Sequence, residues 1–148
     1  MLSIAHATTG AFIATRLGNP YLAAPICIAL HFLEDFVPHW DVGTGITKKK
    51  KAKSTAFLQE LFVDFPLSIA LVYFIFQYGK PFNILPWVGW FFTLLPDFIE
   101  FPRLFLNLRL PIIEHIHDLH KSVHRSTPNV FAGLTPQLVL ILLVYLLS

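Results

Sequence analysis

The stretch LHFLEDFVPHWD, residues 30–41, places His31, Glu34, Asp35, His39 and Asp41 inside an otherwise apolar run. Imidazole together with carboxylate is the ligand set used for zinc, iron or manganese. Residues four apart share a helix face. His31 and Asp35 therefore fall on one stripe, and His39 continues the spacing although Pro38 should end the helix before it. Glu60 and Asp64 repeat the spacing, Asp97 and Glu100 lie three apart, and His117, His120 and His124 follow the same rule. An ion held by three such ligands keeps a position for water and lowers its pKa towards about 7. A neighbouring carboxylate is then placed to act as general base.

The elements that must position these residues are apolar. The 148-residue chain is 55% hydrophobic, 15% aromatic and 14% charged, with a mean hydropathy of +0.61. Soluble domains carry about 25% charged residues, so an integral membrane protein is expected. A net charge of +2 gives no basis for nucleic-acid binding, and one cysteine, Cys27, excludes an internal disulfide. No Lys or Arg occurs in the first fifteen residues, so the N-terminus is read as retained. Five apolar segments mark spans at about 1–17, 21–37, 56–78, 84–101 and 130–147. The first two are short enough to form a tilted or re-entrant hairpin. Residues 111–125 read as an interfacial amphipathic helix.

Five spans place the basic loop 38–55, the segment 102–129 and the N-terminus on one side. That side holds nine of the eleven basic residues, leaving Arg16 and Lys80 on the other. The bias predicts a cytoplasmic N-terminus in an inner membrane, with the lysine run as topogenic signal and anionic-lipid contact. His31 then lies about 10 Å deep, Asp64 about 12 Å, and Asp97 and His6 about 8 Å. Four segments deliver ligand-type side chains to a similar depth. An intramembrane carboxylate costs roughly 2.5–3.5 kcal/mol, a cost that falls when several share a cation.

Some positions have simpler readings. His39 and Asp41 serve equally well as solvated loop residues. Glu34 leaves the 31/35 stripe and is expected at the surface or among lipid headgroups. Glu60 marks the start of the third span, while His115 and Asp118 are expected in solvent. His6 alone is open to being a satisfied buried histidine. His31 and Asp35 also fit a hydrogen-bonded pair tying two spans together. No HExxH, GxSxG or glycine-rich phosphate loop occurs, so a nucleophilic serine is unsupported.

The elements LLPDFIEFP (94–102), HRSTPNVFAG (124–133) and LHFLEDFVP (30–38), with the early His6, resemble the bacterial inner-membrane metal-dependent hydrolases of the YdjM type. Those proteins pair an N-terminal histidine with LLPDxDHP, HRGxTHS and SHxxxD elements. The resemblance implies a multi-spanning metal-dependent hydrolase, with Asp97 at the first Asp of the second element. It puts His124 at the first His of the third, and His31 with Asp35 in the fourth. The fourth element comes early here. PDFIEFP has no histidine, leaving Glu100 in that region, and HRSTPN lacks the second histidine. HDLHKSVHRSTPN (117–129) is also similar to the histidine clusters of membrane diiron hydroxylases and desaturases, which use more histidines than the seven present.

The expected fold is an all-α integral membrane bundle of four to five transmembrane helices plus one interfacial helix, forming a single domain over 1–148. The expected activity is metal-dependent hydrolysis of a phosphoester or lipid-linked substrate at the cytoplasmic face. A diiron enzyme and a non-enzymatic protein with a structural or metal-carrying cluster are the alternatives. The expected metal ligands are His31, Asp35, Asp97 and His124, then His6, with Asp64 and His120 as base or support. Zinc is the first choice of divalent metal, before manganese or iron.

Overall fold

The computed structural model describes residues 1–41 and 50–148. Among them every regular element is helical: α1 (Ser3–Leu17), α2 (Pro20–Asp35), α3 (Lys50–Gln59), α4 (Phe65–Phe76), α5 (Leu85–Leu106), α6 (Pro111–Val123) and α7 (Val130–Leu147). A π-helical turn, Glu60–Asp64, joins α3 to α4. The expected basic loop lies partly at residues 42–49, outside the described residues, and from Lys50 the chain is already helical. Lys, Ala and Ser do not interrupt a helix, so the third helical segment begins at Lys50, ahead of the expected start at 56. α6 occupies the place expected of the interfacial helix.

Among the described residues, two helices are long and apolar enough to cross a membrane, Ser54–Phe76 and Val130–Leu147. The five expected spans do not all meet that measure. α1 and α2 have 15 and 16 residues, about 23 Å against a hydrocarbon core of about 30 Å. α5 has 22 residues, but Asp97, Glu100, Arg103 and internal Pro96 and Pro102 dilute its apolar character. In the two long apolar helices only 22% and 17% of the hydrophobic window is buried. Phe62, Phe74, Phe131, Leu138 and Leu146 point outward. A core helix of a soluble protein would hide such residues, and exposed apolar surface of this extent is what a lipid or protein contact covers.

α1 lies at the centre. Ala5, Ala7, Ala11 and Ala14 are fully buried, with Gly10 also inside. Small side chains allow close backbone approach, the usual basis of helix packing in lipid. The crossing with α5 is at Gly10 and Gly89: a Cβ on Gly89 would lie 2.0 Å from the Gly10 carbonyl oxygen and 2.7 Å from the Ala11 nitrogen. Those are backbone atoms and cannot swing away. Leu2, Ser3 and Ile4 start α1 without a local cap, so the amides are satisfied from afar. Leu2 donates to Gln137 Oε1 at 2.9 Å, Ser3 to Asp64 Oδ2 at 2.6 Å and Ile4 to Asp64 Oδ1 at 3.1 Å. Ser3 Oγ donates to Glu60 Oε1 at 2.5 Å. The π-turn thus turns both acids onto a helix N-terminus, where negative charge is favoured.

Gly89→Ala is expected to destabilise the bundle by about 1–3 kcal/mol through overpacking. Thermal unfolding in detergent measures this; an unchanged midpoint would show that the α1–α5 crossing is looser than described.

Candidate metal centre

Four helices and two connecting segments bring the polar residues together. α1 supplies His6. The last turns of α2 supply His31, Glu34 and Asp35. α5 contributes Asp97 and Glu100, and α6 contributes His117 and His120. His39 and Asp41 follow α2, and His124 follows α6. The two connecting segments are tied by backbone bonds: Arg125 N donates to Asp35 O at 2.9 Å, His39 N to Arg125 O at 3.1 Å, and Thr127 N to His39 O at 2.8 Å. Trp40 N donates to Gly133 O at 3.1 Å, and Gln137 Nε2 donates to Trp40 O at 2.7 Å. After Pro38 the chain therefore runs extended and pairs, which buries His39.

Asp35 is the common partner. Its Oδ2 accepts from His120 Nε2 at 2.5 Å and lies 3.6 Å from His31 Nε2. Its Oδ1 lies 2.5 Å from the Met1 amino group, 3.3 Å from His6 Nε2 and 3.7 Å from His39 Nε2. His31 Nε2 is also 3.6 Å from Asp97 Oδ1. Among the described residues, three groups have ligand atoms within 4.8 Å of one another and could hold a metal ion: His6, His31 and Asp97; His31, Asp35 and His120; Asp35, His39 and His124.

The outer nitrogens of three histidines are held. His6 Nδ1 donates to Glu34 Oε2 at 2.6 Å, His120 Nδ1 to Glu100 Oε1 at 3.1 Å, and His39 Nδ1 to the Val37 carbonyl at 2.8 Å. In each case Nε2 is turned inward. This is the arrangement by which carboxylates and carbonyls orient metal-binding imidazoles. His31 is different. It is fully buried, and neither ring nitrogen makes a hydrogen bond. An unsatisfied buried polar group costs about 1–3 kcal/mol.

Burial works against a charged His120, but its bonds to Asp35 and Glu100 and the nearby Asp97 outweigh this and raise its pKa to about 10. Burial likewise opposes ionisation of Asp41, yet hydrogen bonds from His124 and His39 hold its carboxyl well below the usual range. Asp97 and His124, with side chains 35% and 27% exposed, are the open edge of the cluster, whereas Asp35 and His31 are at 0%.

Of the residues expected from sequence to bind metal, His6, His31, Asp35, Asp97 and His124 come together, and His120 joins them. Asp64 does not lie in these groups, because both its oxygens accept α1 amides. Glu34, expected at the surface, is 6% exposed and bonded to His6; the end of α2 packs against α1 and so encloses it. Glu60 contacts Ser3 rather than merely starting a span. His39 and Asp41 belong to the cluster, and their spacing from Asp35 was the only sequence signal for it. His115 and Asp118 are exposed, as expected. Comparison of the chain with family models, curated proteins and solved structures finds no match.

The raised His120 pKa means that its imidazolium contributes stability that is complete below the ordinary value of 6.5 and is lost as pH rises through about 10. Metal binding must expel the same proton. Calorimetric titration with zinc in buffers of different ionisation enthalpy is expected to show proton release, with affinity rising by about tenfold per pH unit below the pKa. Proton-neutral binding would show that Nε2 of His120 is not a ligand.

Proposed function

We propose that this chain is a membrane-embedded metal-dependent hydrolase acting on a phosphoester or lipid-linked substrate at the cytoplasmic face. The observation that carries the reading is the fully buried His31 imidazole. Its Nε2 makes no hydrogen bond yet sits 3.6 Å from oxygens of two different carboxylates. Bonds of 2.0–2.1 Å in tetrahedral geometry separate ligand atoms by about 3.3 Å. The spacing suits neighbouring ligands better than hydrogen-bond partners, whose N···O distance is about 2.9 Å.

His31, Asp35 and His120 would hold the ion, His120 giving up the proton it donates to Asp35 at 2.5 Å, with Asp97 and His6 beside them. A divalent ion there supplies Lewis acidity and acidifies water. Glu34 and Glu100 orient the imidazoles, α1 excludes solvent from behind, and the open edge at Asp97 and His124 gives a substrate its approach. Zinc suits the mixed nitrogen and oxygen donors, with manganese or iron also compatible.

The membrane reading rests on the outward apolar faces of Ser54–Phe76 and Val130–Leu147. We read α1, α2 and α5 as further membrane segments packed against them, giving a multi-pass chain with the cluster on the lysine-rich, cytoplasmic side. The resemblance to YdjM-type hydrolases agrees with this donor set.

Metal content of detergent-solubilised protein prepared without chelators is expected to be at least about one ion per chain, falling to near zero in His31→Ala/Asp35→Ala. Stoichiometric zinc or manganese would justify a phosphoesterase screen, and iron alone would favour an oxygenase. A well-folded protein that takes up no metal even when it is added would make the cluster a structural hydrogen-bond network.

A further inference from the structure

Two features are left over once the first ion site is drawn. His39 Nε2 and His124 Nε2 face each other at 3.0 Å. His39 donates Nδ1–H to a carbonyl, so in its neutral form Nε2 carries a lone pair rather than a proton. Asp41 Oδ2 lies 3.3 Å from His124 Nε2 and 3.5 Å from His39 Nε2, and Asp35 Oδ1 lies 3.7 Å from His39 Nε2. These separations scatter about the 3.3 Å expected between ligands of one tetrahedral ion.

We propose a second cation site formed by Asp35, His39, Asp41 and His124, with the Asp35 carboxylate bridging it to the first. The proposal rests on the reading of His31, Asp35 and His120 as a metal site. The two oxygens of Asp35 already divide their neighbours in this way. Oδ2 faces His31 and His120, whereas Oδ1 faces His39 at 3.7 Å and also takes the Met1 amino group at 2.5 Å and His6 Nε2 at 3.3 Å, so a second ion would displace the amino group from Oδ1.

Charge supports the pair. Asp35, Asp41, Asp97, Glu34 and Glu100 line one cluster. With the Met1 ammonium beside Asp35 counted, one dication leaves two of those negative charges unmet and two dications leave none. A single shared proton between His39 and His124 would account for their 3.0 Å contact. It would not by itself place the Asp41 carboxylate 3.3 Å from His124 and 3.5 Å from His39.

The second site also defines the substrate class more closely. Paired ions about 3.5–4 Å apart clamp the attacking and leaving oxygens of a phosphoryl group. His124 from the second site and Asp97 beside the first are the two most open members of the cluster. Each site thus has a partly exposed member, as a phosphoester whose oxygens span the two ions would need.

The local backbone is built to hold this second group. Gly133 approaches the segment so closely that a Cβ there would lie 2.3 Å from Trp40 N and 2.8 Å from His39 C. Gly133→Val is therefore a positional test: it removes no ligand residue but pushes away the backbone that carries His39.

The test is metal stoichiometry on the full chain in detergent, read beside circular dichroism, with manganese as probe. About two ions per chain are expected in the unmodified protein and about one in His39→Ala/His124→Ala, while His31→Ala/Asp35→Ala binds none. The manganese-loaded unmodified protein should give an exchange-coupled paramagnetic resonance spectrum, and Gly133→Val should convert it to that of isolated ions. About one ion per chain, kept by His39→Ala/His124→Ala, would overturn the second site and leave the first standing. No ion at all would overturn both. The resonance spectrum needs no variant, so isolated manganese in the unmodified protein would also overturn the bridge.

Discussion

The structure depends on how the buried carboxylate of Asp35 is compensated. It has no exposure and stands at the last residue of α2, where the helix dipole is itself negative. A buried anion in that position is costly unless cations or hydrogen-bond donors surround it. Donors reach it from α1, α6 and the Met1 amino group, and His31 and His39 flank it. Elements remote in sequence must therefore meet around this carboxylate.

Bringing polar groups to the middle of an apolar chain requires a scaffold that comes close without filling the space. α1 provides it through alanines and Gly10. Its backbone runs against α5 where Gly10 meets Gly89, so His6 and Asp97, on different helices, reach one His31. The amides at its start are held by Asp64 and Gln137 rather than by a local cap, and Glu60 holds the Ser3 hydroxyl. These residues act on the site by fixing the height and rotation of α1. The polar cluster thus lies inside beside a small apolar core of Val72, Ile75, Phe76, Leu94 and Val144, while many large apolar side chains face outward.

The site is rigid at its base and open at one edge. Backbone bonds between residues 35–40 and 125–133 hold His39 and His124 opposite each other, and Glu34 and Glu100 fix two imidazoles on the other side. Asp97 and His124 remain partly exposed.

The helical segments, the amphipathic 111–125 region and the ligand-type residues on i, i+4 stripes could all be read from sequence, because helix periodicity and hydropathy are local properties. His31 with Asp35, and the recurrence of His120 and His124, were visible for the same reason. The role of Asp64 was not, since its partners are amides sixty residues away. Nor was the burial of Glu34, which depends on α1 packing over a face that its own helix leaves unspecified. His39 and Asp41 looked like solvated loop until the extended segment after Pro38 found its partner at Arg125 and Thr127. Sequence determined which residues could bind a cation and on which helix faces they stand. Tertiary structure alone decided which of them share a point in space, because coordination and burial depend on distances between segments that no local pattern encodes.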